Sequence, residues 1–453
     1  MRHITNLFNF VLVNVKQNIM ITRRNFIRQS ASALAAGWIM PTAWGTTKHT
    51  EVGANDQIRI GLIGCRSMGW GDLMDAISHP EVKCVALCDI DQTILNDRAA
   101  ELTKQSGSKP ACYGDYRKLL ERKDIDAVMI GTPDHWHCLQ MVDACSAGKD
   151  VYVEKPIANS IAECDAMVAA AKRYNRVVQV GQQQRSGTHW HEMKQYLDSG
   201  KLGKIAKVEV WANFNYAAIL DRVPDGAVPA GVDFETWLGP APKRSFNEKR
   251  FHGLWRMFWD YGGGLLTDWG VHLLDMALWG MNVKGMPKRV MASGGNFAYP
   301  QNYAETFDTL TVLYEFDDFV LQWSNVAGTE TGPYGRNYGV AFKGTNGTLV
   351  INRESWEVYP EGDRIEAFKK DPDTKDHPKH VTNFLEAMKQ RDLSLACPID
   401  NGALCAKFAH LGNISARVKT SLTYDEVQKT FHHPEADRLI QPVYRAPWTF
   451  PKV

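Results

Sequence analysis

The sequence predicts an α/β + α+β protein: an N-terminal parallel, doubly wound domain followed by a mostly antiparallel open sheet packed on helices. Three observations carry this. From residue 57 to about 181, short apolar strands alternate with helical stretches, which implies right-handed crossover units and a parallel sheet. After about 181 the pattern changes to long alternating apolar and polar runs separated by turn residues, the signature of an antiparallel sheet covered on one face. The 453 residues favour two or three domains, at roughly 100 to 200 residues each.

In order, strands are expected at 58–63, 82–88, 126–130, 150–153 and 177–180. Helices are expected between them at 69–78, 94–106, 116–122, 137–147 and 161–174. A helix over 189–199 leads into runs at 206–216, 289–297, 306–316, 319–326, 338–343 and 347–352. Asp317-Asp318 and Gly344-Thr345-Asn346-Gly347 mark turns among them. Helices at 378–391 and 402–420 close the fold.

Composition excludes several classes. With 44% hydrophobic and 23% charged residues, the chain is neither disordered nor fibrous. A net charge of +1 gives no bulk field towards nucleic acid or an anionic membrane, so the expected ligand is small. Nine cysteines show no C-x-x-C pair or zinc spacing and read as small buried hydrophobes.

The N-terminus reads as an export signal over residues 1–45. Arg23-Arg24 leads a basic region, the apolar run 31–40 is too short for a permanent anchor, and the small-residue exit implies cleavage near Gly45. The paired arginines resemble a twin-arginine signal, which implies a periplasmic protein exported already folded. An amphipathic helix of a cytoplasmic enzyme is the competing reading, and Met20 the alternative start.

Four motifs carry chemistry. Gly64-Cys65-Arg66-Ser67-Met68-Gly69 follows the first strand and opens the first helix, with Gly64 and Gly69 placed as the outer glycines of a dinucleotide fingerprint. Arg66 replaces the middle glycine, so its side chain must point outward. Asp89 ends the second strand, where a carboxylate accepts ribose hydroxyls and repels a 2'-phosphate, favouring NAD over NADP.

Thr132-Pro133-Asp134-His135-Trp136-His137 and Glu154-Lys155-Pro156 lie at carboxyl ends of later strands. Lysine before proline is held extended, aiming its ammonium across a cleft. The pairs His135/His137 and His189/His191 lack a completing carboxylate or thiol, and no metal is expected. In the run 260–275, three glycines introduce a helix on which Asp268 and His272, four residues apart, share one face. Such a pair serves as an orienting acid with a general base, or as a core histidine bonded to a carboxylate.

This series resembles the Gfo/Idh/MocA oxidoreductase family over roughly residues 57 to 450. The resemblance implies an NAD-binding Rossmann domain over 57–181 and a substrate-binding, oligomerising domain over 182–453. It implies a homo-oligomer and an enzyme that oxidises a sugar or glycoside hydroxyl. By the same resemblance, Lys155 polarises the reacting oxygen, His272 takes its proton and Asp268 orients the histidine or substrate. The cofactor side comprises Gly64, Cys65, Arg66, Met68, Gly69, Asp89, Thr132, Pro133, His135, Glu154, Lys155 and Gln183. Asp134, Arg185, His189, Trp190 and Trp269 are expected around the substrate. An alternative on the same fold is a glycosidase that oxidises transiently and eliminates the aglycone; such enzymes generally lack the lysine that stands here as Lys155. A non-enzymatic sugar-binding module would need none of the Lys155, Asp268 and His272 set.

Overall fold

A computed structural model of the chain describes residues 57–215, 220–371 and 376–453. The export signal and the end of the predicted run 206–216 lie outside the described residues. The first domain runs β1 (Ile58–Ile63), α1 (Ser67–Ile77), β2 (Val82–Cys88), α2 (Gln92–Ser106), β3 (Ala111–Tyr113), α3 (Tyr116–Leu120), β4 (Ala127–Ile130), α4 (Asp134–Ser146), β5 (Asp150–Glu154), α5 (Ile161–Arg173) and β6 (Val178–Gly181). Every pairing in it is parallel, in the order β3-β2-β1-β4-β5-β6. Strands covered on both faces need apolar residues throughout, and β4, β5 and β6 are buried at every position. The order reverses at β1 and β4, so their carboxyl ends splay apart into the crevice where open sheets bind ligands.

The second domain begins with α6 (Thr188–Asp198), β7 (Ile205–Ala212) and α7 (Phe234–Leu238), and continues with α8 (Val271–Gly280), preceded by a π-helical turn, Leu266–Gly270. There follow β8 (Arg289–Gly295), β9 (Thr309–Glu315), β10 (Val320–Val326), β11 (Tyr338–Gly344), β12 (Gly347–Ile351), β13 (Trp356–Pro360) and β14 (Phe368–Lys370). Helices α9 (Asp376–Gln390), α10 (Ile399–Val418) and α11 (Pro434–Asp437) complete it. The eight strands are ordered β14-β13-β12-β11-β7-β10-β9-β8, all antiparallel except the central β7–β10 pair. In β9 and β10 alternate residues are buried, and Val312, Leu321 and Trp323 pack in one core with Leu273 and Met276 of α8 and Phe408 of α10. That face is the one the helices cover.

The sequence reading passed over β3, β13 and β14, which are short and partly exposed. All nine cysteines are unpaired, seven of them buried. Residues 444–453 have no helix or strand, yet they return to the first domain. The Trp448 ring meets Trp136 edge-on at 4.8 Å, and Tyr444 donates to Glu163 at 2.6 Å across 281 residues of chain.

Candidate active site

The turn between β1 and α1 is shaped by close backbone approach. Gly64 has φ +88°, and a Cβ on Gly69 would lie 2.5 Å from the Gly64 carbonyl oxygen. No side chain caps α1 and its first turn holds no acid, which leaves its leading N–H groups for an anion. The cavity in front of them is walled by Gly64, Ser67 and Met68. Arg66 does point outward: its side chain is 44% exposed and its guanidinium lies 3.8 Å from Asp91.

Asp89 lines this cavity with its carboxylate already engaged. Its oxygens accept the backbone N–H of Cys65 at 2.7 Å and of Asp91 at 3.0 Å, which fastens the glycine turn to β2, and burial raises its pKa. Each oxygen retains a lone pair for a ribose hydroxyl. At the opposite end, Thr132 donates to Gln140 at 2.6 Å, and the His137 ring spans the carbonyls of Thr132 and Pro156, both at 2.8 Å. Asp134 opens α4 buried, its pKa pushed well up by desolvation.

A second, more open cavity adjoins the first, and Met68, Glu154, Lys155, Gly253 and Arg256 line both. Lys155, at the end of β5 before a cis Pro156, donates to Asp268 Oδ1 at 2.6 Å and to the Asp268 backbone carbonyl at 3.2 Å. Asp268 also faces Arg256, with Nε 3.4 Å away. The carbonyl is reachable because the helix is π-wound at Leu266–Gly270, as helices often are at functional sites.

The winding is not the ordinary α-helix expected for Asp268 and His272, although both line the open cavity and the Asp268 charge still acts on the imidazole. The Asp268 carboxylate meets the cations of Lys155 and Arg256, and His272 Nδ1 is buried with no hydrogen-bond partner among the described residues. His272 still lines the open cavity, and burial, with Lys155 and Arg353 adding to it, pulls its pKa well below the ordinary value of 6.5. The imidazole is therefore neutral at neutral pH. Glu154 is likewise buried, accepts from Gln183 at 2.9 Å, and has its pKa raised by desolvation.

Several expected site residues lie elsewhere. Arg185 forms a buried ion pair with Asp275 at 2.7 Å, because the 3-10 turn after β6 directs it towards α8. His189 and Trp190 are buried on α6, Trp190 within the core of the second domain. His135 is turned away from the cofactor-side cavity, its Nε2 3.0 Å from the Trp237 carbonyl oxygen and its ring against Tyr261. Cys65 contributes only backbone, and Gly69 packs behind the turn. Gln183 faces the open cavity, and so does Trp269, one face of which stacks under the Arg353 guanidinium at 4.7 Å.

The sequence reading missed Arg256, Arg353 and His377 on the open side, and Gln140 and Trp237 on the other. All except Gln140 come from the second domain, outside any motif with fixed spacing. Trp136 stood within the noted motif and proves to be the aromatic wall.

A parallel sheet with an uncapped anion-binding turn and a lysine at the end of β5, facing an aspartate and a histidine of the second domain, defines a two-domain dinucleotide-dependent oxidoreductase fold. The chain belongs to the Gfo/Idh/MocA family: residues 58–182 match its NAD-binding Rossmann fold and residues 186–450 the C-terminal alpha/beta domain of this oxidoreductase family.

Curated relatives include a Glycosyl hydrolase family 109 protein of Shewanella putrefaciens, 32% identical over 172 residues. That match covers 34% of this chain and 37% of the relative, so it spans well under two thirds of the relative's length. The fold is shared with the WlbA dehydrogenase of Bordetella pertussis in complex with NADH and UDP-GlcNAcA: TM-score 0.60, 19% identity, 82% of this chain and 99% of that one. It is also shared with aldose-aldose oxidoreductase from Caulobacter crescentus complexed with glycerol: TM-score 0.61, 18% identity, 81% and 99%.

Proposed function

We propose that the protein is an NAD-dependent oxidoreductase acting on a ring hydroxyl of a sugar or glycoside, forming or reducing a keto sugar. The observation that carries this is Lys155, which stands where the two cavities meet. An ammonium has three donors; Asp268 takes two, leaving one for a substrate oxygen in the open cavity. His272, kept neutral, accepts the proton released as that hydroxyl becomes a carbonyl. Asp268 acts on the lysine, holding its charge at the junction.

The cofactor site fits the dinucleotide. The first turn of α1 would hold the pyrophosphate, Asp89 the adenosine ribose, and Thr132 to Asp134 the nicotinamide end. When bound, the nicotinamide supplies the hydride acceptor. The carboxylate at Asp89 favours NAD over NADP.

The glycosidase reading is favoured by the Glycosyl hydrolase family 109 relatives and opposed by the Lys155 donor. The deciding experiment is mass spectrometry of the purified protein for retained cofactor, followed by incubation with a glycoside panel. Accumulating NADH or keto sugar supports the dehydrogenase; net aglycone release without redox change supports the glycosidase.

The paired arginines support export to the periplasm in folded form, with the cofactor carried inside. A cofactor that never leaves is reoxidised in place by a second substrate such as a keto sugar, so kinetics are ping-pong. Intersecting double-reciprocal lines, or a requirement for added NAD, would exclude that cycle. Assembly through the C-terminal sheet is tested by light scattering.

A further inference from the structure

Arg353 lies in the turn between β12 and β13, on the wall of the open cavity. Its Nε donates to Gln184 Oε1 at 3.0 Å, and its guanidinium lies 4.7 Å over the Trp269 ring. The same ring also neighbours His272, with centroids 6.2 Å apart. The planar fork is thus held flat in one orientation, in the same cavity as the proposed base.

Among the described residues its guanidinium has no direct carboxylate partner, although Asp376, Glu354 and Asp268 act on it from further away. Lys155 and Arg256 share Asp268, and His377 lies between Asp72 and Asp75. Among the described residues, neither terminal nitrogen of Arg353 has a protein acceptor, and no carboxylate approaches within 4.0 Å. Burial draws its pKa below the ordinary value, and the charges of Asp376, Glu354 and Asp268 offset only part of that cost.

We propose that Arg353 receives a carboxylate of the substrate, so that the sugar taken by this cleft is an acid sugar of the uronate class or its glycoside. This rests on the sugar oxidoreductase reading above and names its substrate class. A carboxylate matches the two outward N–H groups in a planar bidentate pair. A phosphate dianion fits less well, because Asp268 and Asp376 stand on the same wall.

The test is calorimetric titration of the full chain, with NAD added, using methyl glucuronide, galacturonide and mannuronide. Each is compared with its neutral methyl glycoside and with the corresponding sugar 6-phosphate. At least one uronide is expected to bind ~10-fold or more tighter than both its counterparts, with the preference reduced to about threefold or less in Arg353→Gln. Arg353→Lys, which keeps the charge and loses the fork, should fall between. Equal or weaker binding of every uronide, tighter binding of a sugar phosphate, or a preference that survives Arg353→Gln would overturn the proposal. If Arg353→Gln does not fold, the wild-type preference and Arg353→Lys decide. Formation of NADH is read separately. Uronide binding without oxidation would sink the dehydrogenase reading and spare this one; oxidation of neutral glycosides without an acid preference would do the reverse.

Discussion

The ammonium of Lys155 lies 2.6 Å from the carboxylate of Asp268, a contact that joins the end of β5 in the first domain to the π-turn of the second. A lysine that lines both cavities is thereby aimed by a residue that lines the open one. Both side chains are only about a tenth exposed, at 10% and 11%, so solvent screens the pair weakly.

Lys155→Met and His272→Ala should each lower turnover at least ~100-fold while cofactor stays bound, since polarisation and proton transfer typically contribute that much. Single-turnover rates measured beside cofactor content check this. Normal turnover in either variant would remove that residue from the chemistry.

The acid limb of the turnover profile should lie below pH 6.5. His272 is held neutral by burial and by Lys155 and Arg353, so it goes on accepting a proton as pH falls past the ordinary histidine value. A kcat profile with a limb at or above 6.5 would assign the base elsewhere.

Asp89→Ala should weaken NAD binding and loosen the glycine turn, because one carboxylate both faces the cofactor cavity and holds the Cys65 and Asp91 amides. Lost hydrogen bonds of this kind cost roughly 1 to 3 kcal/mol. A cofactor titration beside a thermal melt separates the two effects, and unchanged affinity would take Asp89 out of the site.

His377 bridges α9 to Asp72 and Asp75 on α1, and these partners raise its pKa to about 9 against the cost of burial. Its folded-state pKa exceeds the ordinary histidine value of 6.5, so its contribution to stability is complete below about 6.5 and disappears as pH rises through about 9. The melting temperature of the wild type should therefore exceed that of His377→Gln at pH 6, and the gap should close by pH ~10. A gap that does not change with pH would refute the ionic bridge.

Replacing Arg23 and Arg24 together by Lys should leave the protein in the cytoplasm with its leader intact, as fractionation and mass spectrometry would show. Normal export of the double variant would point to another route.

The parallel domain was readable because β1, β4 and β5 are nearly continuous apolar runs between helices, and their order fixes where a ligand lies. Asp89 and Lys155 were readable for the same reason, as each terminates such a strand. Three of the misplaced residues share one cause. Arg185, His189 and Trp190 follow β6 closely in sequence, but a short 3-10 turn sends Arg185 to Asp275 and buries the other two. The missed cations, Arg256 and Arg353, come from loops of the second domain, where only the folded chain brings them to Asp268 and Trp269. The π-turn could not be read from spacing, since Asp268 and His272 suit an ordinary helix equally well.

The return of residues 444–453 to the first domain has a consequence in time. Trp136, whose indole walls the dinucleotide cavity, rests against Trp448, and Glu163 beside it takes its hydrogen bond from Tyr444. A nascent chain in which only the parallel sheet has left the ribosome therefore lacks the outer support of its own cavity wall and presents Trp136 to water or to a chaperone. On the proposed NAD-dependent reading, loading of the dinucleotide belongs after synthesis, once the strap made later has closed over the helix made first.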